Sequence, residues 1–449
     1  MTPTIRLLRP SDAEAVAALF TSNDTADVVR NFHPFPLTPD TAVTVCAGLG
    51  QDAFLAAFDG GRAVGFAMLR GWDHGYEVPS FGVLVDRNAY GHGIASSLLR
   101  QALGIAALRR SPSVRLTVYD DNNRARRSYL SNDFVTEHED EVDGRRRHVM
   151  RRVLDHIGPS VYASVAALPP AGSFIEHVSC FTRSGIRRIE LGNYDPVTTM
   201  DLAAIERVDA AFLVHNYFPP PETPFVFNLA STDAGVVEAS MALARDAIEW
   251  SVRLGAHFYS LHGGFVTDPI GRGPHGFLFA TDPSPDASAR ALARFAANLV
   301  RLRDEACSRG ITLLVENNVC EPHNRGTLLL QSPEEFEELF TRFDGTPGIG
   351  ILLDTGHLRV SEATFGFESR RFSGRLAELV RGMHLHDNDG TADQHRPASS
   401  WALQWLECFP ALAFISIEAR FDSVDMLRSH AASIQSRFLT RHADHVRPH

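Results

Sequence analysis

The chain contains no lysine: all 43 of its basic residues are arginine. That absence excludes Schiff-base chemistry through a lysine amine and a lysine-anchored pyridoxal phosphate, so a carbonyl substrate must be polarised another way. Cysteine is scarce as well. Cys46, Cys180, Cys307, Cys320 and Cys408 are odd in number, scattered and without a C-x-x-C pair, which argues against a disulfide framework and a thiolate zinc knuckle. No apolar run is long enough to span a bilayer and the start is not that of a secretory signal, so a cytoplasmic protein without a membrane partner is expected. Basic charge is in deficit too. The formal charge of −11 disfavours a partner held through phosphate backbones and makes nucleic acid an unexpected ligand.

With 449 residues, 44% hydrophobic and 22% charged, the chain is long enough for two globular domains, each with its own core. Two rhythms follow one another along it. Up to residue 155 short strands alternate with hairpins and a few helices. "FLAAFDGGRAVGFAML" reads as two strands around the hairpin signal Asp59-Gly60-Gly61, and "FGVLVDRNAYGHGIASSLL" as a strand, a glycine turn and a helix. From residue 156 to 449 strand and helix alternate, with strand ends expected near Ala163, Leu191, His215, His262, Glu316, Asp354, His384 and Glu418. Eight such units in about 290 residues have the size and period of a (β/α)8 barrel, so the fold class is α/β throughout.

The second half is rich in metal-type ligands. "RGMHLHDNDGTADQH", residues 381 to 395, alone holds three histidines and three aspartates. Six of the expected strands end on a potential ligand: His215, His262, Glu316, Asp354 (with His357 just beyond), His384 and Glu418. A barrel gathers all strand ends on one face. A lone histidine at a strand end is more often a hydrogen-bonded loop residue, but a glutamate closing the apolar run "ITLLVE" needs a partner, and a metal is one common remedy. Oxygen and nitrogen ligands without thiolate suit Mn, Mg, Co or Zn.

The motifs "VEN", "LLDTGH", "HLHDN" and "D-x-H", in this order and spacing, resemble the xylose isomerase-like barrel superfamily over residues 156 to 440. That superfamily includes sugar-phosphate isomerases and epimerases and also endonuclease IV. The resemblance implies a divalent metal held by Glu316, Asp354, His384 and Glu418, with Glu316 and Glu418 acting as acid and base on opposite faces of a ketose. His215, His262, His357, Asp393 and His395 match the further positions of a three-zinc phosphodiesterase, so hydrolysis stays open, as does a metal-assisted dehydratase or lyase reaction. Where the superfamily often continues from the D-x-H motif into a glycine-rich turn, this chain reads "RPASSW". The proline-stiffened "HNYFPPPETPFVFNLA" sets Tyr217 and Phe218 at the expected barrel mouth as candidate substrate contacts. "GRGPHGF" offers Arg272 and His275 to an anionic group.

In the first half, Gly91 and Gly93 fall between a strand and a helix, a turn whose backbone N–H groups and helix dipole suit a pyrophosphate. "IRLLRPSDAEAVAALF", "RNAYGHGIASSLL" and "NNRARRSYLSNDF" together resemble the GNAT acyltransferases over residues 3 to 153. The resemblance implies acetyl-CoA held by Val85, Tyr90, Gly91, His92, Gly93, Ile94, Ala95 and Asn122, with Tyr129 protonating the departing thiolate. Tyr90 stands where that family has arginine or glutamine, and Asp133 where it has glycine; Glu77 is a candidate base for the acceptor amine. The combined expectation is a bifunctional biosynthetic enzyme for small polyhydroxylated or amino-substituted compounds, acetyltransferase plus metal-dependent isomerase or epimerase. A CoA-sensing role for the first half is the alternative, and a homo-oligomer is compatible with either.

Overall fold

The computed structural model describes residues 3–154, 158–194, 196–273, 276–279, 285–343 and 348–439. The expected domain boundary after residue 155 lies outside the described residues. Two compact units emerge: Met1–Gly158 with Arg183–Ile186 and Ser423–His449, and Pro159–Thr182 with Arg187–Asp422.

The first unit is built on seven strands: β1 (Thr4–Leu7), β2 (Ala53–Asp59), β3 (Arg62–Arg70), β4 (Ser80–Val85), β5 (Ser113–Tyr119), β6 (Val135–Val142) and β7 (Arg145–Val153). Their order across the sheet is β1-β2-β3-β4-β5-β7-β6. The hairpin between β2 and β3 turns on Gly60 and Gly61, both at positive φ (55° and 87°), the pair of conformations that a tight hairpin turn demands. All neighbouring pairs are antiparallel except β4 and β5, which are parallel and pair only at Ser80 and Arg115. Beyond that point the two strands part, leaving a cleft at their C-terminal ends.

Helix Ala13–Asn23 turns Val16, Leu19 and Phe20 inward at helical spacing, and Phe20 meets Phe66 of β3 edge to face at 5.1 Å. Helix Ile94–Leu108 is buried on two sides. Ile94 and Leu98 pack over Gly65 of β3, while Gly104 lies so close to helix Val424–Gln435 that a methyl group there would overlap the carbonyl oxygen of Ala432.

The second unit is a closed barrel of parallel strands: β8 (Ser160–Ser164), β9 (Arg188–Leu191), β10 (Ala211–His215), β11 (Phe258–His262), β14 (Thr312–Glu316), β15 (Ile349–Asp354), β16 (Val380–Leu385) and β17 (Phe414–Ile417). A two-stranded hairpin, β12 (Gly271–Gly273) and β13 (Gly276–Leu278), stands in the connection after β11. Every residue of β15 is buried, as strands covered on both faces require, and this accounts for the unbroken apolar runs in the sequence. The observed strand ends fall within a residue of the expected ones. Among the described residues no helix is long and apolar enough to cross a membrane.

Candidate functional sites

The C-terminal ends of the barrel strands bring Glu316, Asp354, His384, His215, His262, His357 and Glu418 together. Glu316 closes β14 and is only 2% exposed, yet its carboxylate faces four imidazoles: His384 at 3.0 Å, His262 at 3.2 Å, His215 at 3.5 Å and His357 at 3.7 Å. Burial opposes ionisation, but His384, His262 and His215 hold this carboxyl well below the usual range. Asp354 caps helix Thr355–Phe365, its Oδ1 accepting from the His357 amide at 2.7 Å, while Oδ2 accepts from His386 Nε2 at 2.9 Å. Glu418 follows β17; burial pushes its carboxyl up, His384 opposes, and the nearby Glu316 and Asp354 carboxylates raise it further.

Asp393 and His395 come from the loop after β16 and pair with each other at 2.9 Å. Asp393 also lies 3.5 Å from His357 Nε2, and the His395 ring stacks on His386 at 4.2 Å. Burial would lower His357, but Asp354 and Asp393 raise it well above an ordinary histidine; His215, by contrast, is pushed by burial down to about 4.

Two residues absent from the sequence-based ligand set belong to this cluster. Glu190 of β9, fully buried, accepts from His384 Nε2 at 3.1 Å and from the Ser416 hydroxyl at 2.5 Å. His386 lies two residues beyond His384 and so on the same face of the chain; its ring occupies the space over Gly356, where a methyl group would overlap it.

The site suits a cation. Ligand atoms of Glu316, Asp354 and His384 lie within 4.8 Å of one another, as do those of His215, His262 and Glu316, of Asp354, His357 and His386, and of His386, His395 and Glu418. Glu316 Oε2, His386 Nδ1 and Asp393 Oδ1 are buried without a hydrogen-bond partner, a condition that native structures avoid unless a water or an ion completes the group.

Above the cluster opens a cavity of about 470 Å³. Tyr217 lines it, and Arg272 reaches it from β12. Phe218, expected against substrate, does not: the chain bends through residues 216–219 after β10, and the ring is fully buried, packed on Phe174 at 5.5 Å and Trp250 at 6.3 Å. His275 lies outside the described residues.

In the first unit, a second cavity of about 310 Å³ opens beside the end of β4, lined by Val85, Tyr90, Gly91, Gly93, Ile94, Ala95, Asn122 and Tyr129. Gly91 and Gly93 take positive φ (86° and 72°), which turns the loop into the start of helix Ile94–Leu108. His92 is the exception. It faces a neighbouring polar cavity with Ser97, Arg100 and Asn132. The Asn122 Oδ1 accepts from the Ala125 amide at 3.3 Å, capping helix Asn123–Leu130, so its amide nitrogen is the part left to face a ligand. Burial raises the Tyr129 hydroxyl to about 12, keeping it a proton donor. Glu77 is exposed on the segment leading into β4.

A family model described as the xylose isomerase-like TIM barrel matches residues 183–420, and one described as the acetyltransferase (GNAT) family matches residues 22–134. Similar solved structures include a D-tagatose 3-epimerase-like protein, 17% identical, covering 62% of this chain and 97% of its own, with a TM-score of 0.48. An L-ribulose 3-epimerase is 16% identical and covers 62% of this chain and 96% of its own, with a TM-score of 0.45. An N-acetyltransferase from Staphylococcus aureus Mu50 is 17% identical and covers 34% of this chain and 99% of its own, with a TM-score of 0.29. No curated protein sequence matches the chain significantly.

Proposed function

Because the chain belongs to the xylose isomerase-like TIM barrel family and carries a GNAT acetyltransferase domain ahead of the barrel, we propose that it is a bifunctional cytoplasmic enzyme divided near residue 155. The first part transfers acetyl groups from acetyl-CoA to an amine. The barrel is a divalent-metal-dependent isomerase or epimerase of a small polyhydroxylated compound.

The observation that carries the barrel reading is the buried convergence of Glu316, Asp354 and His384 beside Glu418, with Glu316 Oε2 facing His262 and His215 but without a hydrogen bond. These four side chains would hold the metal. When bound, a divalent ion polarises a carbonyl and its neighbouring hydroxyl and so acidifies the carbon between them. Glu316, kept ionised by its histidines, accepts the proton from that carbon. Glu418, whose carboxyl is pushed up and which lines the cavity, returns one from the other side.

The second group, His357, His386, Asp393 and His395 with its own unpartnered atoms, favours a multinuclear hydrolase as the competing reading. Metal content per chain separates them. For protein purified without added metal or chelator, elemental mass spectrometry is expected to find about one metal per chain, unchanged in His262→Ala. Near three zinc per chain, falling in the variant, moves hydrolysis ahead.

At the acetyltransferase site the backbone amides of Gly91 to Gly93, at a helix N-terminus, receive the pyrophosphate of acetyl-CoA. The neutral acceptor amine attacks the thioester carbonyl, the CoA sulfur leaves with the proton of the Tyr129 hydroxyl, and the proton shed by the nitrogen on becoming an amide passes to water, from which the tyrosinate regains its own. Since a thiol ionises near 8.5, the thiolate departs without much assistance, and Tyr129→Phe is expected to slow transfer only about tenfold to a hundredfold. Acetyl-CoA affinity, measured by calorimetry, should stay the same. Loss of binding instead would make Tyr129 a cofactor contact, while retained binding in a wild type that transfers to no amine favours a CoA sensor.

A further inference from the structure

The cavity above the carboxylate and histidine cluster has two unlike sides. Its floor is polar, with His215, His262, Glu418 and Asn193. The side formed by the segment after β10, by Phe265 after β11 and by the β12–β13 hairpin is aromatic: Tyr217, Phe225, Phe227, Phe265 and Phe277. The rings brace one another. Tyr217 meets Phe225 and Phe227 edge to face, each at 6.4 Å, and Phe265 meets Phe277 at 5.2 Å. The Tyr217 hydroxyl, the one polar atom of this ring set, accepts from the Phe227 amide at 2.6 Å, so its O–H is the single donor these rings can offer.

A compound with a hydroxyl on every carbon would press several of them against this wall unpaired, each at roughly a tenfold loss of affinity. A hydrocarbon face would be favoured there. At the outer edge, the Arg272 guanidinium lies 4.8 Å over the Phe277 ring and, among the described residues, has no carboxylate partner.

We infer that the barrel's substrate is a partly hydroxylated cyclic hydroxy- or oxo-acid: oxygens along one edge of a carbocyclic ring meet the polar floor, the ring's face lies on Tyr217, Phe225 and Phe277, and an anionic group reaches Arg272. This narrows the polyhydroxylated class proposed above and rests on the metal-dependent reading.

Three hydroxamates, which chelate divalent metals, test it by calorimetry on the full-length metal-loaded protein: acetohydroxamate, benzohydroxamate and 4-carboxybenzohydroxamate. The ring is expected to tighten binding about tenfold to thirtyfold over the methyl compound, and the carboxylate by a further factor of about five to ten. Phe277→Ala should abolish the ring's gain, and the exposed Arg272→Gln the carboxylate's gain, with metal content unchanged in both. Equal affinity for the methyl and phenyl compounds overturns the inference while leaving the metal reading intact. A protein that takes up no metal and binds no hydroxamate overturns both.

Discussion

Glu316→Gln protein purified without added metal or chelator will hold less than about a tenth of the metal carried by wild type, and turnover at the barrel will fall about a thousandfold or more. The charge removed sits at 2% exposure amid four imidazoles, three of which help keep it ionised. An amide of the same shape leaves those rings without their central anion and turns an N–H₂ donor toward whatever cation they would share. Glu418→Gln should lose turnover to a similar degree yet keep most of the metal, since Glu418 stands toward the cavity and Glu316, Asp354 and His384 remain. Elemental mass spectrometry with circular dichroism separates loss of metal from loss of fold. A Glu316→Gln protein that keeps both metal and turnover would remove Glu316 from the centre of the reaction.

Glu190→Gln is expected to weaken metal affinity about 10- to 100-fold, measured by competition with a chromogenic chelator, with the far-ultraviolet spectrum unchanged. His384 divides its two nitrogens between different tasks. Nδ1 looks toward Glu316, Asp354 and Glu418 at 3.0, 3.7 and 3.5 Å, while Nε2 looks toward Glu190 at 3.0 Å. A carboxylate only accepts, so without a cation both nitrogens carry protons; Glu190 holds the one on Nε2, and Nδ1 is the nitrogen that would give its proton up to a cation. Burial by itself would lower His384, but Glu190, Glu418 and Glu316 raise it well above an ordinary histidine. Metal uptake therefore displaces an Nδ1 proton and weakens as the pH falls. Unaltered affinity in Glu190→Gln would reduce Glu190 to a space-filling partner of Ser416.

Much of the barrel was legible because its period is long and most strands are short apolar runs with a polar residue at or beside their close. Glu316 and Asp354 stood out since nothing in "ITLLVE" or "GILLD" prepares a charge. Glu190 escaped the same reasoning only because an apolar residue follows it: in "RIELG" the glutamate reads as an interruption, not an end. In the barrel Ile189 and Leu191 turn the other way, and the alternation sends Glu190 into the interior. His386 was visible in the same motif as His384, and a period of two was the signal that could have found it.

The aromatic segment after β10 shows the opposite limit. Composition marked Tyr217 and Phe218 alike, and only backbone direction separates a wall residue from a core residue. At the glycine loop, likewise, neighbours in sequence were expected to face one ligand, and His92 turns to the other side. The partial pairing of β4 with β5 has no local signature because it depends on the register of two strands that are distant in sequence.

The close approach at Gly104 carries a consequence for biosynthesis. The helix lying against it, Val424–Gln435, is translated some 300 residues later, after every strand of the barrel has been made. The face of the acetyltransferase unit that carries Gln101 and Gly104 thus stays bare for as long as the barrel takes to be made. A chain stalled or cleaved before residue 423 would keep a complete barrel sheet and yet present a sticky acetyltransferase half to chaperones and proteases.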